Sequence, residues 1–588
     1  MKINRYHEDE ETKVKFNGTV MKRMLQYLKP FKKTISIVIT IQIVCLVLAS
    51  ISPKVIQYLI DRVFPSKIFG LVVILAFLIF FLSLVQQVLS KKTEELMADV
   101  ENKVIYRIRN DLFDHMQYLS FDYYDKRPHG KIIQRVNEYA DSVSHIITNY
   151  LFQTVFQILT LLITIVFMFL TNVPLTLIVL LGGLAVTLIT IYIAPIMKRL
   201  TNDRVNKEAN SNAFLLENIN GIQIVKQFNR EKKNQQNLRK INQERIQLMT
   251  TGSKYYNVQW YSYQNLTNLV LAAIYTVGAL VLYPDHITVG AIVAMASYSL
   301  RFWNPVNYLT NVFNEFVNAT VYMEKIFELM DEPIIIKDTD HAKQVDIQGD
   351  VEFQDVSFGY EPKNYVLDHL TFHIKPKEKI AIVGETGIGK TTLINLITRF
   401  YDVNLGQILI DGINVKDIKL QSLRDQIKIM LQDNYLFSTS ILKNIQYGKH
   451  DATLEEVKAV CKIVNIDSYI EHLEAGYDTK VSNASNLSAG QKQLICLART
   501  ILSDPKILIL DEATSNIDLK TERDIQKGID YLMKDRTCFV IAHRLSTIKN
   551  CDRIFLIGDK HIKEMGTHNE LMKKKGEYYQ LYTSQIEE

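Results

Sequence analysis

The sequence predicts a multidomain membrane protein: an all-α half of six transmembrane helices with long cytoplasmic helical extensions, then a soluble α/β half built on a phosphate-binding loop. Three observations predict it. Six apolar segments of roughly 20 residues or more recur in the first half, each long enough to cross a bilayer. The second half is less apolar and reads as a soluble α/β protein. Within it, Gly384-Glu385-Thr386-Gly387-Ile388-Gly389-Lys390-Thr391 has the spacing of a phosphate loop. It lies between a strand, Ile380-Ala381-Ile382-Val383, and a helix that starts at Thr392.

Bulk properties fit this division. The 588 residues are 47% hydrophobic and 22% charged, with a net charge of +5, which does not argue for nucleic acid. Cys45, Cys461, Cys496, Cys538 and Cys551 are scattered without C-x-x-C spacing, so they are expected to be reduced thiols and no metal site. Met1 to Thr19 is polar and charged, without the apolar core of a signal peptide.

The membrane half covers residues 1–325, with spans at about 35–57, 69–90, 147–170, 173–195, 262–283 and 288–312. The last two are the least purely apolar. Lysine and arginine placement gives the orientation. Lys22, Arg23, Lys29, Lys32 and Lys33 precede the first span, and basic residues fill the connections after spans two and four. Thr171-Asn172-Val173-Pro174 and Tyr283-Pro284-Asp285-His286 carry neither lysine nor arginine, and the first outer loop has only Arg62 and Lys67. Both termini are therefore expected in the cytoplasm. The two inner connections read as helices that continue into the cytoplasm and turn near Asp125–Gly130 and Glu217–Ile222, either as levers or as plain solvated hairpins.

Spans five and six are rich in polar and aromatic side chains: Gln259, Trp260, Tyr261, Tyr263, Gln264, Asn265 and Asn268, then Tyr298, Arg301, Trp303, Asn304, Asn307 and Asn311. Such groups face a watery cavity or bond neighbouring helices. A cavity of mixed polarity is the favoured reading. A polar linker, residues 326–348, leads into the soluble domain at 349–588.

In the soluble half, glycines let the phosphate loop close tightly round an anion, and loop amides with the helix N-terminus supply partial positive charge. Lys390 can reach terminal phosphates, and Thr391 can place its hydroxyl on Mg2+. Tyr360 ends a strand, where its ring could stack on a planar base. Asn486 to Leu494 opens a second helix with serine and glycine, another possible anion site. Ile507-Leu508-Ile509-Leu510 is a fully apolar strand, as in a parallel sheet covered on both faces. It ends in Asp511, suited to Mg2+, and Glu512, suited to orient or deprotonate water. Phe539-Val540-Ile541-Ala542 ends in His543, placed to contact a γ-phosphate.

These motifs, in this order, resemble the ATP-binding cassette family, and the resemblance covers nearly the whole chain. It implies ATP and Mg2+ as cofactors. Tyr360 matches the family's base-stacking aromatic, and Gly384 to Thr392 its Walker A loop with the start of the helix. Gln432 matches the Q-loop glutamine, while Ser488, Gly490 and Gln491 fall in the signature motif. Asp511 and Glu512 match the Walker B pair, Ser515 to Asp518 the D-loop, and His543 the switch histidine. The implied catalytic residues are Glu512, His543 and Gln432; the implied metal ligands are Thr391, Gln432 and Asp511. The six-span half resembles the exporter architecture, whose coupling helices correspond to the two inner turns.

One membrane half and one cassette make a half-transporter, so the resemblance implies a dimer in the bacterial cytoplasmic membrane. The family's usual signature is L-S-G-G-Q, and Ala489 here replaces a glycine. With Glu512 and His543 intact, that resembles the subunit of a heterodimeric exporter that brings competent Walker motifs and a weakened signature. A heterodimer is the favoured expectation and a homodimer the alternative. Amphipathic or lipophilic small molecules are the expected substrates, with lipid flipping and an ATP-gated channel as other readings.

Overall fold

The computed structural model describes residues 18–127, 129–283, 285–361, 364–385, 387–430, 434–481, 487–511, 518–541 and 548–587. They form two compact units. The membrane unit takes residues up to 117 and 129–332; the nucleotide unit takes 118–128 and everything from 333 on.

In the membrane unit the apolar segments are helical, the state that satisfies every backbone group without water. After a short N-terminal helix α1 (Gly18–Met24) come α2 (Lys32–Tyr58) and α3 (Phe69–Tyr118). Then α3 gives way to α4 (Phe121–Lys126), which belongs to the nucleotide unit. Back in the membrane unit are α5 (Leu151–Phe169), α6 (Val173–Asn220), α7 (Ile222–Gln227), α8 (Glu231–Val277) and α9 (Val289–Met330). Among the described residues, five helices are long and apolar enough to cross a membrane. The sixth, α9, is diluted by the polar residues already noted, which accounts for its lower hydropathy.

Local chemistry sets the ends. The Asn172 side chain caps α6 by accepting from the amide of Leu175 at 3.0 Å, and Thr288 caps α9 by accepting from Ala291 at 3.2 Å. Gly221 ends α6 where the inner turn was expected, and α7 forms the tip of that hairpin. In the other connection the chain already leaves its long helix at Leu119-Ser120, before the expected break.

Hydrogen bonds at two places tie α2 and the turn that follows it to α9. Pro53 lies inside α2 and has no amide for the carbonyl four residues back, that of Ala49. Arg301 donates to that carbonyl, and the Tyr298 hydroxyl donates to the next one, Ser50, at 2.7 Å. Near the other end of α2, Asp61 accepts from Thr288 Oγ1 at 2.5 Å and from the Gly290 amide at 2.7 Å.

The nucleotide unit holds two sheets. A four-stranded antiparallel sheet runs β2-β1-β4-β5, from β1 (Val351–Phe358), β2 (Leu367–Ile374), β4 (Leu405–Ile410) and β5 (Ile413–Asn414). A six-stranded sheet runs β10-β9-β3-β8-β7-β6. Its strands are β3 (Lys379–Val383), β6 (Ile427–Met430), β7 (Ile507–Asp511), β8 (Thr537–Ile541), β9 (Arg553–Gly558) and β10 (His561–Gly566). Strands β6, β7, β8, β3 and β9 pair parallel, each with the next in that order, as the unbroken apolar runs required.

The side-chain alternation of these strands feeds two cores. Leu508 and Leu510 point into one with α13 (Ala489–Leu502); Ile507 and Ile509 point into the other with the four-stranded sheet and α10 (Lys390–Ile397). Between those helices in sequence lie α11 (Ile441–Gln446) and α12 (Leu454–Ile463), which pack on the first core; α14 (Leu519–Leu532) joins them there. All five cysteines are buried free thiols.

Candidate functional site: a phosphate loop at the strand ends

Strand register builds the site. Ile382 pairs with Ile541, and Ile541 with Asp511, so one row across three parallel strands marks their carboxyl edge. Strands β3, β7 and β8 all end at this edge, where open α/β sheets bind ligands, and the phosphate loop begins there after β3. Thr386, Gln432, Glu512 and His543 lie outside the described residues, so those four expectations have no structural account here.

The loop's backbone is shaped for close approach. Gly384, Gly387 and Gly389 have φ of 153°, 85° and 110°, values that L side chains rarely adopt. A Cβ on Gly384 would come within 2.5 Å of the Ile557 carbonyl oxygen, and one on Gly389 within 2.9 Å of the Leu367 side chain. Ile388 packs into the second core and anchors the loop. Glu385 and Gly387 are exposed.

Lys390 opens α10 and is buried, its ammonium donating to the carbonyls of Gly384 at 2.6 Å and Glu385 at 3.1 Å. Burial lowers its pKa from the usual lysine value, and the Asp511 carboxylate opposes that shift. Thr391 is exposed on the first turn, whereas Thr392 is buried. Tyr360 is half-exposed; its hydroxyl lies 3.2 Å from Thr392 Oγ1. The loop, Tyr360, Thr391 and Asp511 thus share one region. An anion with a planar base and a bound divalent ion fits these donors and this cradle.

Ser488, Gly490 and Gln491 sit elsewhere. Ser488 Oγ accepts from the Gln491 amide at 3.2 Å, and Gln491 Oε1 accepts from the Ser488 amide at 2.9 Å, a reciprocal cap on α13. Gly490 is buried and Ala489 exposed. These residues belong with the first core, whereas the phosphate loop belongs with the second. Asp518 caps α14, accepting from Lys520 at 3.1 Å and Thr521 at 2.9 Å.

The membrane unit has a cavity of about 140 Å3, lined by Gln259, Trp260, Tyr263 and Asn307 with Thr190 and Tyr256. Tyr298 and Arg301 are instead spent on the α2 carbonyls. The polar residues of spans five and six therefore divide between both roles.

Sequence reasoning missed two residues that organise the nucleotide unit. Arg399, although buried, donates to Asp402 at 3.0 Å and to the carbonyl of linker residue Lys337 at 3.1 Å. Tyr401 donates to Asp125, 276 positions away. A basic residue and a tyrosine after a helix carry no spacing signal that predicts such partners.

Comparison with known proteins agrees with this architecture. The model of the ABC transporter transmembrane region matches residues 35–306, and that of the ABC transporter domain matches residues 367–515. The chain belongs to the ABC transporter family. It is 36% identical to the uncharacterized ABC transporter ATP-binding protein YfiC of Bacillus subtilis, over 98% of this chain and 96% of that one. It is 35% identical to the B. subtilis protein named "Putative multidrug export ATP-binding/permease protein YgaD", over 96% of this chain and 99% of that one. Among solved structures it is similar to a bacterial Atm1-family ABC exporter with ATP bound: TM-score 0.75, 25% identity, 97% of this chain and 99% of that chain. This chain is accordingly a multi-pass membrane half-transporter of exporter type, and its cassette is an ATPase that drives transport.

Proposed function

We propose that the protein exports amphipathic or lipophilic compounds of the multidrug type, as one half of a heterodimer with its cassettes in the cytoplasm. The observation that carries the substrate class is the membrane cavity. Trp260, Tyr256 and Tyr263 bring aromatic rings to the lining, and Gln259 and Asn307 bring uncharged polar side chains. Such a lining suits a ligand with an apolar body and a polar end. The multidrug name of YgaD, a relative over nearly the full length, points the same way.

In this reading Gly384 to Thr392 hold the phosphates of ATP, with Lys390 neutralising the terminal ones and Tyr360 stacking on the base. Thr391 and Asp511, with Gln432, hold Mg2+, which when bound screens the phosphate charge. Glu512 orients the attacking water, and His543 contacts the γ-phosphate. Ser488, Gly490 and Gln491 face the ATP held by the partner chain. ATP closes the paired cassettes because it binds the closed pair better than the open one, and hydrolysis resets them. The exposed methyl of Ala489 at the mouth of α13 favours a partner with an ordinary signature and a defective catalytic acid.

The test is purification from the native host with identification of whatever co-purifies. ATPase assays of that assembly in lipid, with a panel of amphipathic cations and lipids, would follow. Stimulation by panel compounds, seen only with a second and different chain present, is the expected result. A stable homodimer with full transport-coupled hydrolysis would overturn the heterodimer.

A further inference from the structure

The four residues Arg399-Phe400-Tyr401-Asp402 follow α10, the helix that the phosphate loop opens. Within the nucleotide unit they meet α4, the turn that interrupts the long membrane helices. Phe400 stacks on Phe121 with ring centroids 4.6 Å apart, and Arg424 lies over the Phe400 ring at 5.4 Å. Beside it, the Tyr401 hydroxyl donates to Asp125 Oδ2 at 2.5 Å. Burial, then the neighbouring Asp125 carboxylate, raise the Tyr401 pKa well above the usual tyrosine value, so the phenol stays protonated and keeps donating.

The other side of the Tyr401 ring meets the nucleotide site. It stands edge-on to Tyr360, centroids 5.2 Å apart at 88°, and Phe358 packs edge-on against both rings. Tyr360 is held at its far end by Thr392 of α10. A carboxylate on the turn, one buried phenol and the half-exposed Tyr360 ring therefore form an unbroken contact chain. Arg399 stiffens its base by tying Asp402 to the linker carbonyl of Lys337.

We propose that Tyr401 is a positioning residue, through which the turn carrying Asp125 sets the Tyr360 ring for the base of ATP. This rests on the reading of Tyr360 as the base-stacking aromatic. Edge-to-face contact fixes the angle between two rings. A movement of α4 that pulls on the Tyr401 hydroxyl tilts its ring and, through it, Tyr360. The membrane half then tunes affinity for the base and leaves the grip on the phosphates untouched.

The test uses the full chain, with the partner it co-purifies with, in lipid nanodiscs. ATP hydrolysis is measured for Asp125→Ala, Tyr401→Phe, the double variant, Asp125→Asn and Tyr360→Ala, with inorganic tripolyphosphate as a base-free competitor. Asp125→Ala and Tyr401→Phe should each raise the KM for ATP about threefold to tenfold, the range of one ordinary hydrogen bond, with kcat within about twofold. The double variant should be no worse than either single one, since both remove the same link. Asp125→Asn keeps an acceptor and should stay near wild type. The inhibition constant of tripolyphosphate should not move in any of them. Additive effects, a parallel shift for tripolyphosphate, or silent Asp125→Ala and Tyr401→Phe variants beside a Tyr360→Ala variant that raises KM would overturn the proposal. A silent Tyr360→Ala would remove the base-stacking reading itself.

Discussion

Arg301 in α9 donates to the carbonyl of Ala49 in α2, the acceptor that Pro53 leaves without an amide four residues on. A proline-broken rung of one helix is repaired by a cation from another. An intramembrane arginine is commonly read as a sign of substrate or ion handling. Here its donor is used inside the fold.

Removing that donor should cost stability. Arg301→Leu leaves the Ala49 carbonyl unpaired and should destabilise the protein by about 1–3 kcal/mol, visible as a lower melting temperature in detergent. Adding Pro53→Ala returns an amide to the same carbonyl and should recover part of the loss. A double variant no better than Arg301→Leu alone would place the arginine's role elsewhere.

The other end of the same helix pair is also tight. A Cβ on Gly290 would lie 2.6 Å from both Asp61 Oδ1 and the Gln57 carbonyl. Gly290→Ala should therefore push α2 from α9 and destabilise by about 1–3 kcal/mol. Gly70→Ala, where nothing lies within 4 Å, is the matched control and should leave thermal unfolding unchanged.

For the cassette, Glu512→Gln should leave ATP binding intact and lower turnover about a hundredfold or more, as for loss of a general base. Lys390→Ala should instead weaken nucleotide binding itself. Equilibrium binding of a fluorescent ATP analogue, beside steady-state hydrolysis, separates the two outcomes. Near-normal hydrolysis in Glu512→Gln would show that another group handles the water.

The pH dependence of binding has a definite sign. Lys390 binds phosphate as the ammonium, and burial puts its pKa below the ordinary 10.5. Affinity is thus full at neutral pH and falls as pH rises through that lowered value. Asp511 raises the Lys390 pKa, so Asp511→Asn should move the alkaline fall to lower pH. Measuring Mg2+-free binding in chelator keeps metal loss out of the comparison. An unmoved limb would show that the two charges do not communicate.

How much of this was legible in the sequence depends on the range of the interaction. The spans, the phosphate loop and the parallel strands rest on local pattern: apolar length, glycine spacing, and unbroken runs such as Ile507 to Leu510. Asn172 and Thr288 cap their helices within three residues. The contacts Arg301 to Ala49 and Tyr401 to Asp125 join residues 252 and 276 positions apart. Nothing in the chain near either partner anticipates them, because they depend on how elements pack. The division of spans five and six between cavity and helix contact was open for the same reason: which face of a polar helix meets a neighbour is settled by packing.

The division of the nucleotide unit into two cores has a consequence for how such a chain evolves. Leu494, Ile495 and Leu497 share a hydrophobic interior that the phosphate-loop helix does not enter, since Leu393, Ile394 and Ile397 lie on the opposite side of the sheet. Substitutions on the face of α13 that meets Leu508 and Leu510 therefore do not touch the side chains that anchor the phosphate-loop helix. The two sides of the cassette can accordingly change separately, and Ala489 stands in a chain whose phosphate loop keeps its full glycine spacing.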